Sequence, residues 1–387
     1  MTRLAIVVSH PIQYYVPLYR SLSRRDDVVV KVFFTWHAGA SAQHDPGFGK
    51  EYRWDIPLTD GYDYELVANT ARRPGSDRFF GIRTPRLIER IMSWKPDAVH
   101  VTGYAYVSHL SVMRALHSRS VPVIFRGDSH LLDSETPWRA FLKRVFLRHI
   151  YGWTDACLYV GKNNYEYCRA MSVPVEKLFY CPHSIEVSRF SEPNEELEEK
   201  AAKWRGELGI KPSNKVLLYA GKFEERKQPI ELMKAMERLE SSNILLVMVG
   251  DGEIGEEVRG LAASNVARFL VLPFQNQSKM PLVYRLADVV LLPSAYRETW
   301  GLCLNEAMAC GRRVLASDKV GGAVDLIQSV KDGAIFASGD WNDFGEKAMM
   351  LCGSPVDTKH LRQQARQFDI PATEEHLLNA LKEILGS

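Results

Sequence analysis

Glu298 and Glu306 stand on either side of Gly301 and Leu302, in a stretch that directly follows the apolar run Val289 to Leu292. Gly301 can open a helix there. The backbone N–H groups of the first turn, at Leu302 and beyond, are then free to hold an anion, with the helix dipole adding to the attraction. A carboxylate does not hold a phosphate, but it accepts hydrogen bonds from sugar hydroxyls. Two acids around an anion site therefore suit a ligand with hydroxyls on both sides of a diphosphate, which describes a nucleotide-sugar. A Glu-x7-Glu pair means little alone, and its neighbours decide how it is read.

A second loop of matching chemistry is Ala220-Gly221-Lys222-Phe223-Glu224-Glu225-Arg226-Lys227-Gln228-Pro229. A glycine turn ends a strand, and three cations precede a helix begun by Pro229. Lys222 and Lys227 can neutralise a departing diphosphate. Gly250-Asp251-Gly252-Glu253-Ile254-Gly255 is formally Gly-x-Gly-x-x-Gly, which raises a dinucleotide-dependent oxidoreductase. That fingerprint also needs an acid about 20 residues on, at the end of the next strand, to hold the ribose. Arg268 to Asn276 offers none, so the oxidoreductase is set aside.

These loops need strands and helices to position them. Short β-branched runs alternate with helical patterns at Leu4 to Val8, Val28 to Phe34, Ala98 to Val101, Val121 to Phe125 and Ala156 to Val160. A second series starts at Lys215 to Tyr219 and continues at Ile244 to Val249, Phe269 to Leu272, Val289 to Leu292 and Arg313 to Ala316. Continuous apolar strands separated by helices imply parallel sheets covered on both faces. The expected class is α/β: two Rossmann-like, doubly wound domains facing a central cleft, with the motifs in loops after strands. Residues 1–188 form the first domain and 189–213, charged and without strand character, a linker with exposed helix. Residues 214–370 form the second domain. Residues 371–387 form a final helix, capped by Thr373, whose Leu377, Leu381, Ile384 and Leu385 share a face that can pack back on the first domain.

The order of these motifs resembles the retaining glycosyltransferases of GT-B fold, in particular glycosyltransferase family 4. Gly221, Lys222 and Lys227, then Gly250-Asp251-Gly252, Ala287-Asp288 with Pro293-Ser294, Glu298 to Glu306, and Val320-Gly321-Gly322 follow in the family's order. The resemblance implies that Glu298 contacts the donor sugar, Glu306 the ribose hydroxyls, and Lys222 and Lys227 the phosphates. Gly250, Gly252, Gly301 and Leu302 complete the donor side. Lys222 stands where the family usually has arginine, which keeps the charge but loses the bidentate fork. Asp325 stands where it has glutamate. Retention, by front-face attack in which the departing phosphate takes the acceptor proton, is implied by the resemblance alone.

The first half departs further, since Ser9-His10-Pro11-Ile12-Gln13 replaces the usual glycine-rich first loop. Phe125-Arg126-Gly127-Asp128-Ser129-His130 falls where family members often carry an active-site histidine. Asp128 or His130 is expected to face the transferring sugar; a capping Asp and a surface His fit the same residues. His10, Gly103, Tyr104 and Arg126, all near strand ends, are candidates for the acceptor side.

The balance of 49 Lys+Arg against 47 Asp+Glu gives no reason to expect nucleic acid as a partner. The six cysteines lack zinc-like spacing, which fits buried thiols in a reducing cytoplasm. No Asp-x-Asp occurs, so no metal and no cofactor are expected, and lysines with a helix N-terminus would stabilise the leaving group. The expected partners are a nucleotide-sugar donor and a glycan or lipid-linked acceptor, with surface polysaccharide assembly the commonest setting. An epimerase or hydrolase of the same architecture and a non-catalytic nucleotide-sugar binding protein are the alternatives. The expected location is the cytoplasm; residues 138–153 are basic and aromatic, and peripheral contact at the inner membrane face through that segment is one of two readings of it. Such a helix more often packs its apolar side on the sheet.

Overall fold

A computed structural model describes residues 1–36, 43–45, 50–52, 54–133, 135–239, 241 and 243–386. The chain divides into two compact units. One comprises Met1–Gln43, Pro57–Ser184 and Ile370–Ser387, the other His44–Ile56 and Ile185–Asp369. Both are built on a parallel sheet with helices in the connections, the doubly wound class that the strand pattern implies.

The first unit starts with β1 (Thr2–Val8) and β2 (Val28–Phe34). A two-stranded sheet, β3 (Gln43–Asp45) with β4 (Lys50–Tyr52), follows in sequence. The first unit then continues with β5 (Asp63–Leu66), β6 (Ala98–Thr102), β7 (Val123–Arg126), β8 (Ala156–Tyr159) and β9 (Leu178–Tyr180). Its seven strands are ordered β5-β2-β1-β6-β7-β8-β9. The second unit carries β10 (Lys215–Ala220), β11 (Ile244–Val249), β12 (Phe269–Leu272), β13 (Val289–Leu292), β14 (Arg313–Ser317) and β15 (Gly333–Phe336), ordered β12-β11-β10-β13-β14-β15. Central strands are buried on both faces: Leu4 to Val8 and Val216 to Tyr219 are all at most 1 % exposed. Such burial explains why these strands read as unbroken apolar runs.

In each sheet the strand order reverses once, between β1 and β6 and between β10 and β13. Neighbouring loops diverge there, and the crevice at the carboxyl ends of the strands is the usual ligand position. The loops carrying Lys222 with Lys227 and Glu298 with Gly301 follow β10 and β13, so the pairing of these two strands sets them side by side at that crevice.

In the two large sheets, β5, β9 and β15 lie outside the apolar runs of the sequence. All three are at sheet edges and span only four, three and four residues. The charged segment at 189–213 contains the helix Asn194–Glu207 of the second unit. There Glu198 pairs with Arg285 at 3.3 Å and with Arg312, and Arg205 donates to the Leu286 carbonyl at 3.0 Å. The final helix spans Ile370–Leu385 and belongs to the first unit. It begins before Thr373, because Pro371 suits the first turn; Thr373 is buried and donates to the Pro182 carbonyl at 3.2 Å instead of capping.

Candidate active site

In the second unit, Gly221 carries the chain off the end of β10, and Tyr219 Oη donates to the Lys222 carbonyl at 2.6 Å, which fixes the turn. A single turn of 3-10 helix at Glu225–Lys227 follows, and Gln228, left-handed at φ 52°, redirects the chain into the helix Pro229–Arg238. Lys227 is thereby aimed at the loop after β13, where its Nζ donates to Glu298 Oε2 at 2.9 Å. Ser294 Oγ donates to the same oxygen at 3.1 Å, and Arg226 Nη1 lies 3.9 Å from it. Arg226 is itself held by Glu224 at 2.6 Å and by the Arg297 carbonyl at 3.2 Å.

Lys227 and Glu298 are each 15 % exposed, so their attraction is poorly screened. Burial alone would raise the Glu298 pKa, but the Lys227 ammonium, helped by Arg226 and the Ser294 hydroxyl, outweighs it and holds the carboxyl below its usual range. Burial would likewise lower Lys227, and Glu298 reverses that. The pair is an ion pair at neutral pH.

The backbone around Glu298 is also fixed. Its carbonyl accepts from Gly321 N at 2.8 Å, and it forms a parallel bridge with Val320. A Cβ on Gly322 would stand 2.6 Å from the Trp300 carbonyl oxygen, and Trp300 Nε1 donates to Asn305 Oδ1 at 2.8 Å. The Val320-Gly321-Gly322 motif thus clamps the Glu298 loop. Gly301 sits at φ 94° at the start of the helix Leu302–Ala309, where a side chain would meet Leu292 at 2.7 Å and Val320 at 2.8 Å.

Glu306 lies one turn along that helix. Tyr284 Oη donates to it, from the helix Met280–Arg285. Burial pushes the Glu306 pKa up, and Tyr284 and Arg189 only partly offset this. Gly250 and Gly252 serve close packing, since a Cβ would lie 1.9 Å from the Gly221 carbonyl oxygen at the first and 2.4 Å from that of Phe223 at the second. They let the loop after β11 lie against the lysine loop. Leu302 and Lys222 are partly buried beside these elements.

In the first unit the candidates lie at strand ends with different partners. Gly103, at φ 74°, ends β6 and donates to the Arg126 carbonyl at 2.8 Å, and His109 Nδ1 is 3.1 Å from its carbonyl oxygen. His10 Nδ1 is 3.0 Å from Ser9 Oγ, and burial lowers its pKa. Tyr104 Oη meets Tyr167 Oη at 3.0 Å and packs on the core beside Phe125. Arg126 is 3 % exposed; it donates to Cys181 Sγ and to the Pro182 carbonyl, each at 3.1 Å, and lies over the Tyr15 ring. Its guanidinium braces the segment after β9. Asp128 lies 3.7 Å from the buried His183, whose ring stacks on Tyr15. His130 Nδ1 accepts from Leu132 N at 3.3 Å.

Several neighbours escaped the sequence reading. His183 follows a three-residue edge strand, and Tyr284 bears no spacing relation to Glu306, so neither leaves a one-dimensional signal. Ser294, named from the sequence only as part of the motif order and not for this contact, does: its hydroxyl stands four residues before the acid it supports.

Residues 13–183 match the family described as a glycosyl transferase 4-like domain, and residues 200–368 that described as glycosyl transferases group 1. The chain belongs to the GT-B glycosyltransferases of family 4. A D-inositol 3-phosphate glycosyltransferase of Mycobacteroides abscessus is 33 % identical over 190 residues, which is 47 % of this chain and 42 % of that protein. An uncharacterised glycosyltransferase of Methanocaldococcus jannaschii is 32 % identical over 171 residues, 43 % of each chain. The chain thus matches less than half the length of these two relatives. Among solved structures, Anabaena HepE in complex with UDP and glucose superposes with TM-score 0.69 at 16 % identity, over 99 % of this chain and 100 % of that one. A sucrose-phosphate synthase of Thermosynechococcus elongatus gives 0.72 at 17 % identity, over 100 % of both.

Two further residues belong to these loops. Lys222 presents an ammonium, a point charge without a planar fork, and Asp325 is buried on the short helix Ala323–Leu326 behind the glycine pair. Among the described residues, no group of three or more His, Cys, Asp or Glu could hold a metal, and no helix is long and apolar enough to cross a membrane.

Proposed function

We propose that this GT-B chain transfers a sugar from a nucleotide-sugar donor to a glycan or lipid-linked acceptor. The reading includes retention at the anomeric carbon, no need for a metal ion, and a role at the cytoplasmic face in surface polysaccharide assembly. The observation that carries it is the Lys227–Glu298 pair at the strand-order reversal of the second sheet, with the helix start at Gly301 in the same loop. One partner only donates and the other only accepts, so together they suit a phosphate joined to a sugar.

On donor binding, Lys227 and Lys222 donate to the diphosphate oxygens with the free N–H groups at Leu302. Glu298, supported by Ser294, accepts from hydroxyls of the donor sugar. Glu306, oriented by Tyr284, accepts from the ribose. As the sugar–phosphate bond breaks, negative charge grows on the diphosphate, and the cations act most strongly in that state. The acceptor oxygen bonds to the anomeric carbon from the face the diphosphate leaves, and its proton passes to a diphosphate oxygen. Asp128 or His130 is assigned to the reacting sugar. The HepE structure with UDP and glucose supports a uridine nucleotide as the first donor to test. A lipid-linked acceptor is supported by a Streptococcus pneumoniae relative named alpha-galactosylglucosyldiacylglycerol synthase, 24 % identical over 248 residues, 62 % of this chain and 63 % of that protein.

The test incubates the full chain with a panel of nucleotide-sugars and of glycan and lipid acceptors in excess EDTA. The expected result is acceptor-dependent release of nucleoside diphosphate and a product with the donor's anomeric configuration. Epimerised donor without acceptor, or tight binding without release, would replace the transferase by one of the alternatives. Loss in EDTA restored by manganese would overturn the metal-independent reading.

A further inference from the structure

The helix Pro137–Tyr151 turns only one side to the body of the first unit. Leu147, Ile150 and Tyr151 are buried. Trp138, Phe141, Leu142, Val145 and Phe146 are instead 53–65 % exposed. Their spacing of i, i+3, i+4, i+7 and i+8 places all five on one stripe, opposite the buried side. A contiguous stripe of large apolar side chains differs from scattered exposed leucines, and surface of that kind marks an interaction site.

The cations of the helix are placed with respect to that stripe. At about 100° per residue, Arg139 and Lys143 fall along one flank and Arg144 and Arg148 along the other. Arg139 also lies over the Trp138 ring at 5.3 Å, joining the charge to the apolar face. No Asp or Glu occurs from Pro137 to Gly152. Among the described side chains, Lys143 pairs with Glu135, just before the helix, and Arg144 reaches Ser172 Oγ. The whole chain is almost balanced in charge, so this helix is a local excess.

An apolar centre with cationic flanks is the cross-section of a helix lying in a membrane interface, its rings among the acyl boundary and its cations at headgroup phosphates. We infer that this helix docks the first unit onto an anionic lipid bilayer. The charge pattern disfavours a second copy on the same face, because each cationic flank would meet another. Docking also brings the Asp128 and His130 loop, which leads into this helix, towards the lipid surface. The inference concerns binding only and stands whether or not the chain transfers sugar.

The experiment is co-sedimentation of the full chain with vesicles of phosphatidylglycerol mixed with phosphatidylcholine, and of phosphatidylcholine alone. Two double variants are compared: Arg139→Gln with Arg148→Gln, and Phe141→Ser with Phe146→Ser. All four positions are exposed, and unchanged thermal unfolding of each variant checks the fold. The parent is expected to bind the anionic vesicles selectively and to be released at 1 M salt, where the screening length is about 3 Å. Removing two cations should weaken binding about 30-fold, and the serine pair should abolish it. Bromine-labelled acyl chains should quench the parent more than Trp138→Phe. No binding to anionic vesicles, equal binding to both compositions, or binding unchanged in both double variants would overturn the inference. So would a concentration-dependent dimer, lost in the serine pair, in a chain that ignores vesicles.

Discussion

The Lys227 ammonium lies 2.9 Å from the Glu298 carboxylate and links the two loops at which the second sheet reverses its strand order. Without ligand, each charge satisfies the other. A donor must exchange that contact for its own phosphates and hydroxyls, so the same pair shapes both stability and binding.

Stability should follow the titration of this pair. Glu298 has a depressed pKa, so its contribution is present above the unfolded value near 4.5 and is lost as pH falls through the lower folded value. Lys227 is raised, so its contribution is present below 10.5 and is lost as pH climbs through the folded value. Glu298→Gln leaves Lys227 buried beside a neutral amide and should cost about 3 kcal/mol at pH 7. Urea unfolding should show the gap to the parent narrowing in acid below that window. A gap of the same size at every pH would mean the loss comes from packing.

Lys222→Ala and Lys227→Ala should act on the diphosphate and not on the nucleoside. Isothermal titration should show the nucleoside diphosphate weakened by roughly 1.5–3 kcal/mol, the range for hydrogen bonds to charged groups, with free nucleoside nearly unchanged. Turnover should fall further than donor affinity, because leaving-group charge grows towards the transition state. Equal losses for both ligands would place the phosphates elsewhere.

Glu306→Gln should separate stability from function. The pKa of Glu306 is raised, so its contribution is present below about 4.5 and is lost as pH rises through the folded value, above which the buried charge is a burden. The amide keeps an oxygen for Tyr284, and the variant should melt above the parent at pH 7 while matching it in acid. Nucleoside affinity should drop by roughly 1.5–3 kcal/mol, and a 2′-deoxy ligand should lose less in the variant than in the parent. A variant that is both less stable and unaffected in binding would assign Glu306 to the core.

Gly301→Ala should destabilise the second unit by about 1–3 kcal/mol, since φ 94° is unfavourable for alanine and its Cβ meets Leu292 and Val320. Because the helix start must shift, nucleoside diphosphate binding should fall too. Normal binding in a fully stable variant would show that the turn relaxes freely.

Where strands are central, the amino-acid order was sufficient. Leu4 to Val8, Ile244 to Val249 and Val289 to Leu292 lie inside their sheets, so every residue is apolar and the run itself marks the element. The edge strand Asp63–Leu66 carries no such mark, because one side faces solvent and charge is tolerated there, whereas the edge strand Phe269–Leu272 is apolar and was marked by its run. The candidate donor-side residues could be picked out for a related reason. Most lie in the few residues after a strand, where a local turn confines the choice to glycine, cation or acid.

What local order could not decide was partnership at a distance. Arg126 ends β7 as a functional residue would, yet only the folded chain shows its guanidinium taken up by Cys181 and Pro182. His183 and Tyr284 gain meaning from Asp128 and Glu306, which lie 55 and 22 residues away. The helix Pro137–Tyr151 makes the same point, since its composition allowed the aromatic stripe to face either the sheet or the solvent. Sequence by itself determined the class of fold, the strand-end loops and the types of group they present, because those depend on neighbours in the chain. Tertiary structure alone decided which charges meet and which apolar face stays open, because burial and partnership depend on neighbours in space.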